Sequence, residues 1–267
     1  MRTPRGLHVE IREPEVAATT PRRPIVFHHG IGTNHRIWDG WLPAIGPDRG
    51  VARFDLRGFG RSDVPDVTHK WTMQELVDDL FEVVDLAAGA TGRAHLVGES
   101  LGGTVVLLAA ILRPDRIASV TISNAAFKGT GIHRVAGWRE EIARDGMAGW
   151  AARMMELRFR DGVLAPEKAK WFADVQAASP AHVVLGLGEL LAVQDLSTQL
   201  AAIKAPLLIL MPTESPFVPV EQARELGTRV QGASLVLFHG VRHGLPYSHA
   251  EACARHLAGF LQRIDPA

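Results

Sequence analysis

The residues His95-Leu-Val-Gly-Glu-Ser-Leu-Gly-Gly-Thr104 join a short apolar strand to a helix through a turn in which Gly98 and Gly102 flank Ser100 at a spacing of two. A turn of this kind is sharp. Its two glycines leave room for a strained backbone at the serine, whose hydroxyl is then lifted above the edge of a sheet. The apolar run Val105-Val-Leu-Leu-Ala-Ala-Ile-Leu112 supplies the helix that must follow. A five-residue pattern of this composition is common in proteins, so its context decides the reading: strand before and helix after make it a nucleophile elbow.

Outward from the elbow, strands alternate with helices. Residues 7 to 11 alternate as an edge strand does, and a Pro-rich connection, Thr20-Pro-Arg-Arg-Pro24, leads into the buried strand Ile25-Val-Phe-His-His-Gly30. Val51-Ala-Arg-Phe-Asp55 is a third short strand. Residues 73 to 88 carry apolar positions at helical spacing and close near Gly89. Beyond the elbow, Ile117 to Ser123, Pro206 to Met211 and Ser234 to Phe238 read as buried strands, with helices predicted from Val220 to Val230 and from His249 to Gln262. This order predicts an α/β fold: a mostly parallel, doubly wound sheet covered on both faces. The segment from 127 to 200 interrupts it, with helical periodicity and bulky residues such as Trp138, Trp150, Met154, Phe159 and Trp171. It is read as a helical cap inserted into a core formed by residues 1–126 and 201–267.

Composition removes whole classes of function. Lys+Arg and Asp+Glu both number 29 in 267 residues, so no net field draws the chain to nucleic acid or to an anionic membrane. The longest wholly apolar run has eight residues, too short for a bilayer, and Met1-Arg-Thr-Pro-Arg5 lacks the apolar stretch of a signal peptide. The expected location is cytoplasmic and the expected partner a small-molecule substrate. A single cysteine, Cys253, rules out an intrachain disulfide or a thiolate metal cluster and is read as a small packing residue.

Serine at neutral pH is a poor nucleophile, so Ser100 requires a base, usually an imidazole held by a carboxylate. Of twelve histidines, His243 is the best placed, in the loop His239-Gly-Val-Arg-His-Gly-Leu-Pro246 beyond the last strand. That is where strand ends and elbow converge. The acid belongs after the strand ending at Met211, in Pro212-Thr-Glu-Ser-Pro-Phe-Val-Pro219, where Glu214 is the one carboxylate. The alternatives to Glu214 are Ser215, a backbone carbonyl or water. Donors for a developing oxyanion are expected from the backbone amides of Leu101 and Ile31. His28 and His29 are adjacent on a strand and point to opposite faces, so they do not form a metal site, and no cofactor is expected. Arg134 and Trp138, where the cap begins, are the candidate substrate-binding residues.

Taken together, His29-Gly30 after a strand, Asp55-Leu-Arg-Gly-Phe-Gly-Arg-Ser62, Gly98-Glu-Ser-Leu-Gly102 and the late His243 resemble the α/β-hydrolase family over nearly the whole chain. The resemblance implies Ser100 as nucleophile, His243 as base, Leu101 and Ile31 as oxyanion donors, and a bracing role for the Asp55–Gly60 turn. Ser123-Asn-Ala-Ala-Phe127, Gly129-Thr130, Trp138 and Arg144-Asp-Gly-Met147 are similar to 3-oxoadipate enol-lactonases, which open a carboxylated lactone ring with a serine triad and no cofactor. In that group an aspartate stands four residues before the proline of the acid loop; here Ser215 stands there, with Glu214 one place earlier. The implied activity is hydrolysis of a small ester or lactone through an acyl-enzyme on Ser100. The alternatives are cleavage of a carbon-carbon bond on the same fold, or a ligand-binding sensor with a degraded triad.

Overall fold

The computed structural model describes residues 1–15, 22–132 and 135–265. Seven strands form one sheet: β1 (Val9–Arg12), β2 (Ile25–His28), β3 (Val51–Phe54), β4 (Ala94–Glu99), β5 (Ile117–Ser123), β6 (Leu207–Pro212) and β7 (Ser234–Phe238). Their spatial order is β1-β3-β2-β4-β5-β6-β7, with β1 antiparallel to β3 and every other neighbour parallel.

Strand chemistry explains why both faces are covered. Successive side chains alternate between faces, and the central strands are apolar at consecutive positions. Thus Ile25 and Phe27 of β2 pack with Trp38, Trp41, Leu257 and Phe260 on one face. Val26, between them, packs on the other face with residues of α1 (Met73–Ala88) and α2 (Leu101–Leu112). In β6, Leu208 and Leu210 join the first cluster and Leu207, Ile209 and Met211 the second. The first face is closed by α8 (Ala250–Ile264) and by a 3-10 segment, His35–Ala44. Cys253 of α8 is fully buried there.

The chain leaves β2 toward β3 on one side and later returns to β4 on the other. The carboxyl ends of β2 and β4 therefore border the crevice where ligands gather in open parallel sheets. Ser100 and the loop after His28 both lie there.

Strands β5 and β7 and helix α1 span the residues that periodicity assigns to them, whereas other boundaries move. The elbow helix begins at Leu101, directly after the serine, as that residue's expected role as an oxyanion donor requires. Its first turn is built of glycine because the neighbouring chain is so close: a Cβ on Gly102 would lie 2.4 Å from the His28 carbonyl oxygen. The segment His35–Ala44 escapes a periodic reading because Gly40 and Pro43 interrupt it. Between β5 and β6 the described residues contain no strand. They form α3 (Trp138–Arg158), kinked at Gly146 where φ is 68°, α4 (Pro166–Ala177) and α5 (Ala181–Val193). Trp138, Trp150, Met154, Phe159 and Phe172 are buried, and they continue the sheet's clusters rather than forming a separate core. No single described helix is long and apolar enough to cross a membrane.

Candidate active site

Strand β4 delivers Ser100 in the left-handed region, at φ 51° and ψ −122°. The backbone is tied there: the Ser100 amide donates to the Ser123 carbonyl at 3.0 Å, and a Cβ on Gly98 would lie 2.4 Å from the Gly102 carbonyl oxygen. A non-glycine residue in this conformation is strained, and the surrounding bonds hold it.

His243 follows β7 and is brought to Ser100 from the opposite side of the crevice. Its Nε2 lies 3.3 Å from Ser100 Oγ. The loop is fixed by the Gly244 amide, which donates to the Arg158 carbonyl at 2.8 Å, and the ring meets Phe217 edge-on, centroids 4.7 Å apart. Its Nδ1 lies 2.9 Å from Ser215 Oγ. The Ser215 oxygen also accepts from the amides of Phe217 and Val218, at 3.3 and 3.2 Å.

Glu214 does not reach the imidazole. Its carboxylate pairs at the surface with Arg160. The amides of Thr213 and Glu214 donate to the carbonyls of Phe238 and Val241, which fixes the loop so that the next side chain, Ser215, faces the ring. Adjacent residues of an extended segment point apart, so only one of the two can serve. The expectation that Glu214 orients His243 is thereby corrected in favour of its alternative, Ser215.

Three residues that the sequence reading leaves out of the site complete the surroundings. Asn124, directly after β5 and in the left-handed region at φ 44°, places its amide nitrogen 3.2 Å from His243 Nε2 and 3.3 Å from Glu99 Oε2. A carboxylate beside the amide fixes which end of it is nitrogen. The nitrogen then donates to Nε2, which selects the tautomer with the proton on Nδ1, and Asn124 and the Ser100 hydroxyl share the one lone pair of Nε2. Glu99 is buried, accepts from the Gly30 amide at 2.7 Å, and has its carboxyl pKa pushed up by burial, against the pull of Arg158. Arg158, the last residue of α3, is buried and donates to the Ile31 carbonyl at 3.1 Å. Burial first, and the Arg158 cation second, hold the His243 imidazole well below its ordinary pKa, so it is neutral at pH 7. Position at the carboxyl end of a strand was a signal for Asn124. Nothing in Leu157-Arg-Phe-Arg160 marks Arg158 as the inward-facing arginine.

Ser100, His243, Asn124 and Arg158 border one pocket, whose other walls are apolar and include Ile31, Trp138, Leu191 and Phe217. Of the two candidate substrate-binding residues, Trp138 lines this pocket and Arg134 lies outside the described residues. The amides of Leu101 and Ile31 have no acceptor among the described residues, consistent with free donors beside Ser100. His28 and His29 are structural: each Nδ1 contacts a neighbouring carbonyl oxygen at 2.8 Å, and His29 Nε2 accepts from the Leu56 amide. Burial pushes their pKa values down to about 3 and about 4. Elsewhere, His8, Glu10 and His35 bring ligand-type atoms within 4.8 Å of one another, but Arg53 pairs with the same Glu10 carboxylate and none of the three borders the pocket.

Comparison with known proteins agrees with this architecture. The chain is 29% identical to 3-oxoadipate enol-lactonase 1 of Acinetobacter baylyi, over 84% of this chain and 82% of that protein. It is 25% identical to a putative carbamate hydrolase, RutD, of Caulobacter vibrioides, over 96% of both. The crystal structure of the enol-lactonase from Burkholderia xenovorans LB400 superposes with a TM-score of 0.83, covering 96% of each chain at 24% identity, which shows a shared fold. The family model for the alpha/beta hydrolase fold matches residues 23–250. The chain therefore belongs to the alpha/beta hydrolase fold family.

Proposed function

We propose that this chain is a serine hydrolase of small esters or lactones that uses no cofactor. The reading rests above all on Ser100 Oγ, held on a strained elbow 3.3 Å from His243 Nε2 at the wall of an apolar pocket. His243 Nε2 takes the Ser100 proton as Oγ attacks the substrate carbonyl carbon. Amides of Leu101 and Ile31 stabilise the oxyanion. The imidazolium then gives its proton to the departing oxygen, leaving an acyl-enzyme that water hydrolyses by the same route. Ser215 accepts a hydrogen bond from Nδ1–H and is a positioning residue. Residues 127–200 act as a cap that contributes Trp138 and Arg158 to the pocket. The relatives named as a lactonase and a carbamate hydrolase support carbonyl chemistry of this type without fixing the substrate.

A fluorophosphonate probe tests the nucleophile. Labelling of Ser100 in the wild type and its loss in Ser100→Ala are expected, together with loss of hydrolysis of p-nitrophenyl acetate and of a small lactone. A folded wild-type protein that takes up no label would instead favour a ligand-binding protein, the second reading, for which the neutral Ser215 in place of a carboxylate is the specific support.

A further inference from the structure

At the β1 edge of the sheet, away from the pocket, two imidazoles and a carboxylate converge. His8 and Glu10 stand two apart on extended backbone and so share a face. His35 opens the 3-10 segment that follows the β2 loop. The Nε2 of His35 lies 3.1 Å from Glu10 Oε1, and His8 Nε2 lies 3.6 Å from the same oxygen. In a tetrahedral zinc site, with bonds of about 2.0–2.2 Å, ligand atoms stand about 3.4 Å apart. Both spacings fall close to that value, and all three ligand atoms lie within 4.8 Å of one another.

Neighbours fix which atom of each ring carries the lone pair. His35 Nδ1 lies 2.6 Å from Oδ1 of the buried Asp55, a carboxylate that can only accept, so Nδ1 carries hydrogen. A neutral His35 therefore turns the lone pair of Nε2 toward Glu10. Arg61 Nη1 lies 3.3 Å from His8 Nε2, and a guanidinium can only donate, so His8 Nε2 is the acceptor atom of its ring. Three lone pairs thus face one another, an arrangement that a cation resolves. A carboxylate behind the imidazole, as Asp55 is here, is also the usual support of a metal-bound histidine. Arg53 grips the other Glu10 oxygen, Oε2, at 2.9 Å and leaves Oε1 for an ion. The rival arrangement is a protonated His35 that donates to Asp55 and Glu10 together; it takes up no metal.

We propose that His8 Nε2, Glu10 Oε1 and His35 Nε2 bind one Zn2+, with water completing a four-coordinate site. Two imidazoles and one carboxylate suit zinc and other late divalent metals rather than Mg2+ or Ca2+, which take oxygen ligands. The Glu10 side chain is 37% exposed, so the ion enters from solvent. Arg61 is the occupant it displaces: that side chain is 66% exposed, and its Nη1 also lies 4.0 Å from Glu10 Oε1. The ion ties β1 to His35 and, through Asp55, to the turn that ends at Gly60. Its role is structural. The site shares no residue with the pocket around Ser100 and does not rest on the hydrolase reading.

The test uses the full chain without an affinity tag, stripped with EDTA, exchanged into chelator-free buffer and titrated calorimetrically with ZnCl2. One Zn2+ per chain is expected at micromolar protein, with no binding of Mg2+ at the same concentration. His8→Gln and Glu10→Gln, both away from the deep core, are expected to weaken zinc binding at least about tenfold, the loss that even an outer support of a metal ligand brings. Arg61→Ala is expected to tighten it about fivefold or more, the effect of removing a like charge about 4 Å away in water. The Arg61 backbone amide, which donates to Asp55, is unchanged by that substitution. Zinc should raise the thermal midpoint of wild type and leave that of Glu10→Gln in place. No stoichiometric uptake by wild type, or uptake that both ligand variants retain with unchanged circular dichroism, overturns the proposal. So does an Arg61→Ala variant that binds zinc no more tightly than wild type.

Discussion

Ser215 Oγ lies 2.9 Å from His243 Nδ1, so the partner of the proposed base in this chain is a neutral hydroxyl. A hydroxyl can accept the Nδ1 proton and aim the ring, but it contributes no charge to stabilise the imidazolium formed as Ser100 attacks. Ser215→Asp should supply that charge with little rearrangement, since the amides of Phe217 and Val218 already donate to this side chain. We expect kcat for p-nitrophenyl acetate to rise by at least about tenfold, part of the large effect such a carboxylate has in serine triads. A rate that stays level or falls would mean that the hydroxyl is not standing in for an acid.

Glu214→Gln is the matched control. Its carboxylate pairs with Arg160 where both side chains are about half exposed, at 41% and 53%. Exposed pairs contribute about 0–1 kcal/mol. Turnover and thermal midpoint should therefore stay near wild type, and a large loss of turnover would return Glu214 to the site.

The pH profile follows from the neutral imidazole. Burial and Arg158 hold the His243 pKa well below its ordinary 6.5, and the base acts in its deprotonated form. Catalysis should be level from pH 8 down through 6.5 and decline only at lower pH, as His243 protonates. Removing the cation with Arg158→Gln, or adding an anion with Ser215→Asp, should move this acid limb upward. Initial rates of kcat/KM between pH 4 and 8 give the answer; a limb near 6.5 that neither substitution moves would contradict the electrostatic account.

These three experiments concern a site that is only half legible in the sequence. Ser100 and His243 announce themselves because each sits at the end of a strand whose apolar run is continuous, and because glycines flank the serine. The sheet is legible for the same reason: strands buried on both faces leave runs such as Pro206-Leu-Leu-Ile-Leu-Met211, and the helices between them keep their own period. Register within a loop has no such signature. Whether Glu214 or Ser215 faces the imidazole depends on two backbone bonds, to Phe238 and Val241, that arise only when β6 and β7 are paired. Arg158 is hidden for a related reason. It and Arg160 stand two apart at the end of a helix, and tertiary packing alone buries the first and leaves the second at the surface.

The elbow stores strain that can be measured. Ser100 at φ 51° is held where glycine is at ease, a conformation that costs other residues about 1–3 kcal/mol. Glycine gives back roughly 0.5–1 kcal/mol of this through its greater freedom when unfolded. Ser100→Gly should then be inactive yet more stable, by about 1 kcal/mol, which is about 2–4 °C in the thermal midpoint of a protein this size. Calorimetry decides it, and a lower midpoint would show that the serine side chain contributes more to the fold than its backbone costs.

Asp55 carries the last prediction, because it separates bracing from chemistry. Its side chain is buried and accepts from the His35 amide at 2.9 Å, from His35 Nδ1 at 2.6 Å and from the Arg61 amide at 2.9 Å. Burial alone would raise its pKa, but these bonds prevail and hold it down at about 2. A depressed carboxyl stabilises the fold fully above its unfolded pKa near 4, and that contribution fades as pH falls toward 2. Asp55→Asn keeps the shape, removes the charge and leaves buried donors poorly met, which should cost about 2–4 kcal/mol near neutral pH. The adjacent Leu56 amide donates to His29 Nε2, which ties the turn to the loop that carries Ile31, the proposed oxyanion donor. If that support is purely structural, the variant unfolds at lower temperature but keeps the wild-type kcat per folded molecule; a parallel fall in kcat would place the turn within the machinery that aligns the Ile31 amide.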